Sequence, residues 1–589
     1  MASDSGISPA AWALNAWVRA LDRTAPFGRG DGRPLPALVA EMAALHGDRP
    51  ALIGEGDSLT YTQLGTRMAQ YARWALQQSV APGDVVCLML PNCPDYVAVW
   101  LGITSVRGVV ALVNPHLTGE ALRHALAAVA PAHIVVGAEL EAAVLAVGSG
   151  AKIWSFGAGG VSARIDTLVA EFAEEPPEAP GPALGDLALY IYTSGTTGLP
   201  KAARVGHRRV AEWACWFAGM IDTQPDDRMY NCLPMYHSVG GVVAVGAMLV
   251  GGGSVLIRPK FSASRFWDDV AEHGCTLFQY IGELCRYLAN SPPHPREQDH
   301  RLRLCCGNGL RGDVWAAFQA RFAIPRILEF YAATEGNMSL YNCEGRPGAI
   351  GRVPPFLAHR FPVALVRCDP ETGVLERDAA GLCVRCGRDE VGEALGRIGD
   401  SGAAEGRPFE GYTDVGASEK KIARDVQAHG DAWFRTGDLM RRDGSGFYYF
   451  VDRIGDTFRW KGENVATEEV AAVLTACPGV TEAVVYGVTV PGAEGRAGMA
   501  ALTVEAGFDL AALRAHVQAL PDYARPVFVR IGGSIAATTT FKQAKAVLAR
   551  EGFGPALADA VYFDDRAAGA FVRMDADLYA GILAGAVRV

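Results

Sequence analysis

Ten consecutive residues, Tyr192-Thr-Ser-Gly-Thr-Thr-Gly-Leu-Pro-Lys201, gather two glycines, three threonines, a serine and a lysine behind the apolar run Leu187 to Ile191. Such a run reads as a buried strand, which puts the glycine-rich residues in a loop at a strand end. That loop suits a polyanion. Glycines let the backbone approach closely, hydroxyls and exposed N–H groups donate, and one ammonium adds positive charge. A flexible surface loop would account for the glycines but not for the lysine that ends the run. No Gly-Lys-Ser/Thr closes the segment, so the spacing is not that of a Walker loop. The candidate phosphate contacts are Thr193, Ser194, Gly195, Thr196, Thr197, Gly198 and Lys201.

Three further clusters carry chemistry. Glu329-Phe-Tyr-Ala-Ala-Thr-Glu335 sets an aromatic, a hydroxyl and a carboxylate within five residues, after apolar Ile327 and Leu328. It reads as a strand end opening into a loop, offering Tyr331 to stack on a purine, Thr334 to donate to phosphate and Glu335 to hold magnesium, a cation that prefers oxygen ligands. Trp433-Phe-Arg-Thr-Gly-Asp-Leu439 precedes a run ending at Asp452-Arg453. A carboxylate after a Thr-Gly turn can accept from both ribose hydroxyls, and a guanidinium can add a polar contact; these are Asp438 and Arg453. Pro234-Met-Tyr-His-Ser238 follows the strand-like Met229 to Leu233 and offers His237.

The elements that must position these groups show a rhythm. From about residue 36 to 140, helical stretches alternate with short apolar runs such as Val85 to Leu90 and Val109 to Val113, which predicts a doubly wound α/β layer structure. The Pro-rich acidic stretch Glu174 to Pro182 reads as an exposed connector into the strand before the phosphate loop. A second rhythm begins near Asp452: helix Thr467 to Leu474, strand Val480 to Val488, helix Leu510 to Leu520 ended at Pro521, and strand Val527 to Ile531. A small α+β domain of about 135 residues fits it.

Composition narrows the class. A chain of 589 residues is too long for one core and predicts at least two domains. A net charge of -10 argues against a general nucleic-acid binder. Thirteen cysteines lack a framework spacing, so free thiols in a reducing cytosol are expected, and the lone Cys383/Cys386 pair reads as incidental. Residues 1–35 lack the sustained apolar core of a signal peptide. The run Val239 to Ile257 is uncharged but holds six glycines, so buried strand-turn-strand or helix-strand structure is expected instead of a spanning helix. Peripheral membrane contact stays open.

Together the motifs resemble the adenylate-forming superfamily, which includes acyl-CoA synthetases, luciferases and peptide-synthetase adenylation domains. Val451-Asp-Arg-Ile-Gly-Asp-Thr-Phe-Arg-Trp-Lys-Gly-Glu-Asn-Val465, with Phe278 to Leu288, Leu520 to Pro526 and Arg346 to Val353, is similar to the fatty acid transport protein branch, also called very-long-chain acyl-CoA synthetases. The similarity runs from about residue 37 to the carboxyl end.

The resemblance implies an α/β fold with a large N-terminal domain, residues 1–453, of doubly wound sheets and a distorted barrel that binds ATP and the acyl substrate. A small mobile C-terminal α+β domain, residues 454–589, follows. It implies an ATP- and Mg2+-dependent ligase joining a long- or very-long-chain fatty acid, or a similarly bulky apolar carboxylate, to coenzyme A through acyl-AMP. Tyr331 then lies on adenine, Thr334 touches the α-phosphate, Glu335 holds magnesium, and Asp438 with Arg453 takes the ribose. In Thr540-Phe-Lys-Gln-Ala-Lys545 the adenylation lysine aligns with Lys542; Phe541 replaces the commoner glycine before it and leaves Lys545 as a rival. Gly462 matches the glycine against the pantetheine arm, and Gly455 stands at the hinge. His237 would position the carboxylate, already ionised at neutral pH, with a satisfied core histidine as an equal alternative. The run Val239 to Val250 either lines an acyl tunnel or is plain core.

Two other readings belong beside this one. A carrier-protein phosphopantetheine could receive the acyl group, although no carrier domain is evident, or a membrane-associated uptake protein could act by metabolic trapping. The expected location is cytoplasmic, with peripheral contact at the inner face of the membrane left open; the motifs do not set oligomeric state.

Overall fold

A computed structural model of the chain describes residues 8–194, 199–399, 408–461, 463–493, 495–533, 545–587 and 589. Two compact units emerge: one runs to Phe361 and takes in Ile398–Ile422, and the other comprises Pro362–Arg397 and Ala423–Val589.

Among the described residues the larger unit holds a seven-stranded and an eight-stranded sheet. In the first, Val85–Met89 lies centrally, flanked in parallel by Val109–Leu112 and His133–Gly137. Leu187–Ser194 joins Val109–Leu112 in parallel and turns back antiparallel into Pro200–Gly206. The inner strands are near-continuous β-branched runs because helices cover both faces. One such helix, Pro94–Ser105, is buried almost throughout. It crosses helix Tyr61–Gln77 so closely that a Cβ on Gly102 would lie 2.6 Å from the Met68 carbonyl oxygen. Helix Tyr61–Gln77 opens with a reciprocal cap: Gln63 N–H donates to Thr60 Oγ1 at 3.2 Å and Thr60 N–H to Gln63 Oε1 at 2.9 Å.

The eight-stranded sheet runs in the spatial order Ser339–Asn342, Ile327–Ala332, Leu304–Asn308, Leu277–Ile281, Arg228–Asn231, Ser254–Ile257, Pro50–Ile53, Ser58–Thr60. Its inner pairs are parallel and its two edges antiparallel hairpins. Val86, Val110 and Leu189 of the first sheet and Leu52, Met229 and Leu304 of the second belong to one hydrophobic core. Helix Pro9–Arg29 joins it through Trp17, whose ring meets Trp216, Tyr341 and Phe361 edge-on at 5.7, 5.5 and 5.6 Å.

The glycine-rich run Val239 to Ile257 resolves as helix then strand. A π-helical turn, Ser238–Val243, leads into helix Ala244–Leu249 and strand Ser254–Ile257. Among the described residues no helix is long and apolar enough to cross a membrane.

In the second unit, Val363–Val366, Val391–Arg397, Ala432–Arg442 and Tyr448–Arg453 pair antiparallel in chain order. A second sheet, Val480–Val488, Ala497–Val504, Phe528–Gly532, Ala560–Asp565 and Ala570–Arg573, has its own apolar core. The expected helix from Leu510 is α-helical to His516 and finishes as a 3-10 turn, Val517–Ala519, before Pro521. Every cysteine is a free thiol.

Candidate active site

The phosphate-loop residues sit on a hairpin. Pairing of Leu187–Ser194 with Pro200–Gly206 sets Thr193 opposite Lys201 and Ser194 opposite Pro200. Gly195, Thr196, Thr197, Gly198 and the side chain of Ser194 lie outside the described residues.

A segment unnoticed in the sequence lies along the outer hairpin strand. Arg204 N–H donates to the Gly411 carbonyl at 2.9 Å and Thr413 N–H to that of Ala202 at 3.0 Å, so Tyr412 bridges Ala203. Gly206 N–H donates to Glu410 Oε2 at 2.5 Å, fixing the segment from its other end. Tyr412 is buried. Its hydroxyl donates to Glu335 Oε1 at 2.8 Å and also hydrogen-bonds with the Thr193 side chain. The Lys201 ammonium stands 6.0 Å from its ring centroid, within cation–π range. Burial, then the neighbouring Glu335 charge, pushes the phenol well above its ordinary pKa, so it stays a donor.

The Tyr331 cluster forms a second hairpin. Ile327–Ala332 pairs antiparallel with Ser339–Asn342, so Tyr331 is still on the strand, opposite Leu340, and Thr334 and Glu335 occupy the connection. Two side chains hold that connection besides Tyr412. Ser238 Oγ lies 2.9 Å from Thr334 Oγ1. The Arg209 guanidinium approaches the carbonyls of Ala333 at 3.5 Å and Glu335 at 3.4 Å, donates to that of Gly336, and lies 4.8 Å from the Trp213 ring one helical turn on. Beneath Tyr331 on the same strand, Glu329 is a buried carboxyl accepting from Tyr280 Oη at 2.5 Å and Leu310 N–H at 3.1 Å. Burial pushes its pKa up to about 8, against the lowering effect of the Tyr280, Leu310 and Gly309 hydrogen bonds.

His237 comes immediately before the π-helical turn, its ring 4.4 Å from that of Tyr236. Buried Asn231 donates to the Gly240 carbonyl at 2.9 Å and accepts from Leu233 N–H at 3.2 Å. Asn92 reaches the same segment, donating to the Leu233 carbonyl at 2.9 Å and accepting from Met235 N–H at 2.9 Å. A Cβ on Gly241 would lie 1.9 Å from the Met235 carbonyl oxygen, so the turn can pack there only as glycine. The larger unit therefore gathers Thr193, Lys201, His237, Tyr331, Thr334 and Glu335 through Tyr412, Arg209 and Ser238.

In the second unit Asp438 and Arg453 are register partners on adjacent strands, with Arg453 Nε 3.4 Å from Asp438 Oδ1. Buried Glu393 shapes the turn before Asp438: it takes Arg435 Nη2 at 2.5 Å and Gly437 N–H at 3.1 Å, while Gly437 adopts φ +78°. Gly455, at φ +89°, uses the backbone region open to glycine. Gly462 and Lys542 lie outside the described residues. The rival Lys545 heads helix Lys545–Glu551 with its ammonium enclosed, 2.7 Å from Thr467 Oγ1, 2.8 Å from Glu468, 3.6 Å from Asp456 and 4.0 Å from Asp452. Burial opposes its charge, but the three carboxylates outweigh that and raise its pKa.

Magnesium can be tested against the donors present. No group of three or more His, Cys, Asp or Glu able to hold a metal occurs among the described residues. A single carboxylate beside the candidate phosphate-loop hairpin fits Mg2+ carried in by a nucleotide, a cation that typically takes one or two protein carboxylates plus substrate phosphates.

The AMP-binding enzyme family matches residues 39–383, and the AMP-binding enzyme C-terminal domain matches residues 469–542. The mouse long-chain fatty acid transport protein 1 is 40% identical over 573 residues, covering 95% of this chain and 88% of that protein. The Mycobacterium tuberculosis medium/long-chain-fatty-acid–CoA ligase FadD6 is 41% identical over 537 residues, covering 89% and 87%. Among solved structures, ATP-bound MatB from Rhodopseudomonas palustris superposes with a TM-score of 0.74 at 24% identity, covering 88% of this chain and 99% of that one. A benzoate CoA ligase from Burkholderia xenovorans gives 0.74 at 20% identity, covering 88% and 100%; both show the fold. The chain belongs to the adenylate-forming superfamily of AMP-binding enzymes, in its fatty acid transport protein branch.

Proposed function

We propose that the chain is an AMP-forming acyl-CoA synthetase that converts a long- or very-long-chain fatty acid, ATP and coenzyme A into acyl-CoA, AMP and pyrophosphate. The observation that carries this reading is the joining, inside one compact unit, of the phosphate-loop hairpin to the Glu335 carboxylate. In the first half-reaction the substrate carboxylate attacks the α-phosphate and pyrophosphate leaves. Thr193 and Lys201 contact the departing phosphates, Thr334 donates to the α-phosphate, and Tyr331 stacks on adenine. Glu335 would hold Mg2+, which would supply charge neutralisation to the phosphates. Asp438, with Arg453 beside it, accepts from the ribose hydroxyls. His237 borders the acyl carboxylate without acting as a base.

Lys542 is the group assigned to the charge that builds between carboxylate and phosphate. The enclosure of Lys545 by Glu468, Asp452 and Asp456 supports that choice. In the second half-reaction the coenzyme A thiol displaces AMP, with Gly462 leaving room for the pantetheine arm. Residues 454–589 would move as the small domain between the two steps, Gly455 absorbing the backbone change.

The substrate class rests on the names of relatives at about 40% identity. The transport named in several of them is compatible with the same chemistry: a charged thioester cannot diffuse back through a bilayer. That role puts the protein in the cytoplasm, in peripheral contact with the inner face of the membrane. The test is thioester formation from a panel of medium-chain to very-long-chain fatty acids and steroid carboxylates. Activity confined to short or aromatic acids would overturn the substrate assignment.

A further inference from the structure

We propose that Tyr412 is the positioning residue that holds the magnesium carboxylate in register with the phosphate-binding hairpin. The inference rests on the ligase reading above and names a group that the reading does not use. Three side chains assigned to ATP and its metal meet on this tyrosine: Glu335 and Thr193 at its hydroxyl, Lys201 over its ring. Its backbone is tied to the hairpin through Ala203 and its neighbours through Ala202 and Arg204. The ring is therefore tied to the hairpin strand Pro200–Gly206, while its hydroxyl reaches the connection that carries Glu335.

The need for such a residue follows from the donor set. Where one carboxylate and the nucleotide's own oxygens share a cation, the carboxylate must already point at the phosphates. A glutamate in a connecting loop has three rotatable side-chain bonds, which a hydrogen-bond partner can fix. Tyr412 takes up Oε1 and leaves Oε2 for the cation. Phenylalanine would preserve the ring beneath Lys201 and remove the hydroxyl's bonds to the Glu335 carboxylate and the Thr193 side chain.

The experiment titrates ATP into the full chain by calorimetry, without fatty acid or coenzyme A, at a series of Mg2+ concentrations and in EDTA. Tyr412→Phe is expected to raise the Mg2+ concentration at the midpoint of tight binding about tenfold, as for loss of one hydrogen bond to a charged group. Metal-free ATP affinity should stay within about twofold and the thermal midpoint within about 2 °C of wild type. On a Glu335→Gln background the same change should add almost nothing, since the two side chains act as one unit. An unchanged Mg2+ midpoint overturns the proposal. So does equal weakening in EDTA, or a full additional loss on the Glu335→Gln background. Binding is read without chemistry, so a wild type that shows Mg2+-dependent ATP binding but no acid-dependent turnover would overturn the ligase reading alone.

Discussion

Lys545 Nζ lies 2.8 Å from Glu468 Oε1, and that ion pair closes an acidic nest completed by Asp452 and Asp456. The cluster joins the start of helix Lys545–Glu551 to the strand end that carries Arg453. An ammonium so enclosed is a structural tie, which separates the two lysines of the Thr540 to Lys545 segment by role. Lys542→Ala should lower acyl-AMP formation by about a hundredfold or more while preformed acyl-AMP still yields thioester. Lys545→Ala should instead destabilise the protein by about 2 kcal/mol, because it leaves the buried Asp452 carboxylate without its cation while the half-exposed Glu468 and Asp456 are screened by solvent. Single-turnover assays of each half-reaction, beside denaturant titrations, check both; the reverse pattern would shift the alignment by one helical turn.

The Glu393 clamp on Arg435 and Gly437 fixes the turn before Asp438, the carboxylate proposed to take the ribose hydroxyls. Asp438→Ala should raise KM for ATP about tenfold to a hundredfold, the size of a lost charge-assisted hydrogen bond, with KM for the acid unmoved. Pyrophosphate exchange at varied ATP reads this directly. A matching rise in KM for the acid would contradict a ribose role.

Ser238 touches Thr334 at 2.9 Å and so links the His237 segment to the hydroxyl proposed to donate to the α-phosphate. Ser238→Ala should slow adenylation about fivefold, as for a neutral hydrogen bond, with thermal stability retained. Paired with Thr334→Ala it should show clear non-additivity. Additive effects in the double variant would mean that the contact does not orient the hydroxyl.

Glu329 gives the protein a pH-dependent stability. Its carboxyl titrates at about 8 when folded, against 4.5 for an ordinary glutamic acid. The folded state therefore holds a proton that the unfolded chain has released. The contribution is fully present below about 4.5 and lost as pH rises through about 8, with a slope of about -1.4 kcal/mol per pH unit between them. Glu329→Gln mimics the protonated form and should gain stability relative to wild type across that window. Denaturant titrations at pH 5 and pH 9 check it; an unchanging difference between the two proteins would contradict it.

Gly241→Ala tests the π-helical turn. A methyl group 1.9 Å from the Met235 carbonyl oxygen cannot be accommodated without moving the His237 segment. A loss of about 2 kcal/mol or more is expected, with acid-dependent exchange reduced further than stability alone explains. Wild-type stability would show that the turn packs differently.

What the sequence revealed depended on whether the interacting residues were contiguous. Thr193 to Lys201 and Tyr331 to Glu335 are continuous runs, and their residue types alone mark them as candidates for phosphate and metal chemistry. Strand Val480–Val488 stood out through the apolar run Ala483 to Val488. Tyr412 did not: it lies 77 residues from Glu335 and reaches it through an isolated bridge with no periodic pattern. Glu393 was equally silent, acting 42 residues away on Arg435 across a bulged strand pair. Helix Pro9–Arg29 was missed as a core element, since its prolines and scattered charges obscure the apolar face that buries Trp12 and Trp17. The chain leaves its first unit after Phe361, rejoins it at Ile398 and leaves again after Ile422, crossings that no composition shift marks.

Acid-dependent exchange of labelled pyrophosphate into ATP is the most direct test of the central claim, because it needs only the adenylation step. Purified protein with Mg2+, ATP and a long-chain fatty acid should incorporate label without coenzyme A, and Glu335→Gln should abolish most of it. No exchange above the acid-free background, with any member of a broad acid panel, would contradict carboxylate activation by this chain.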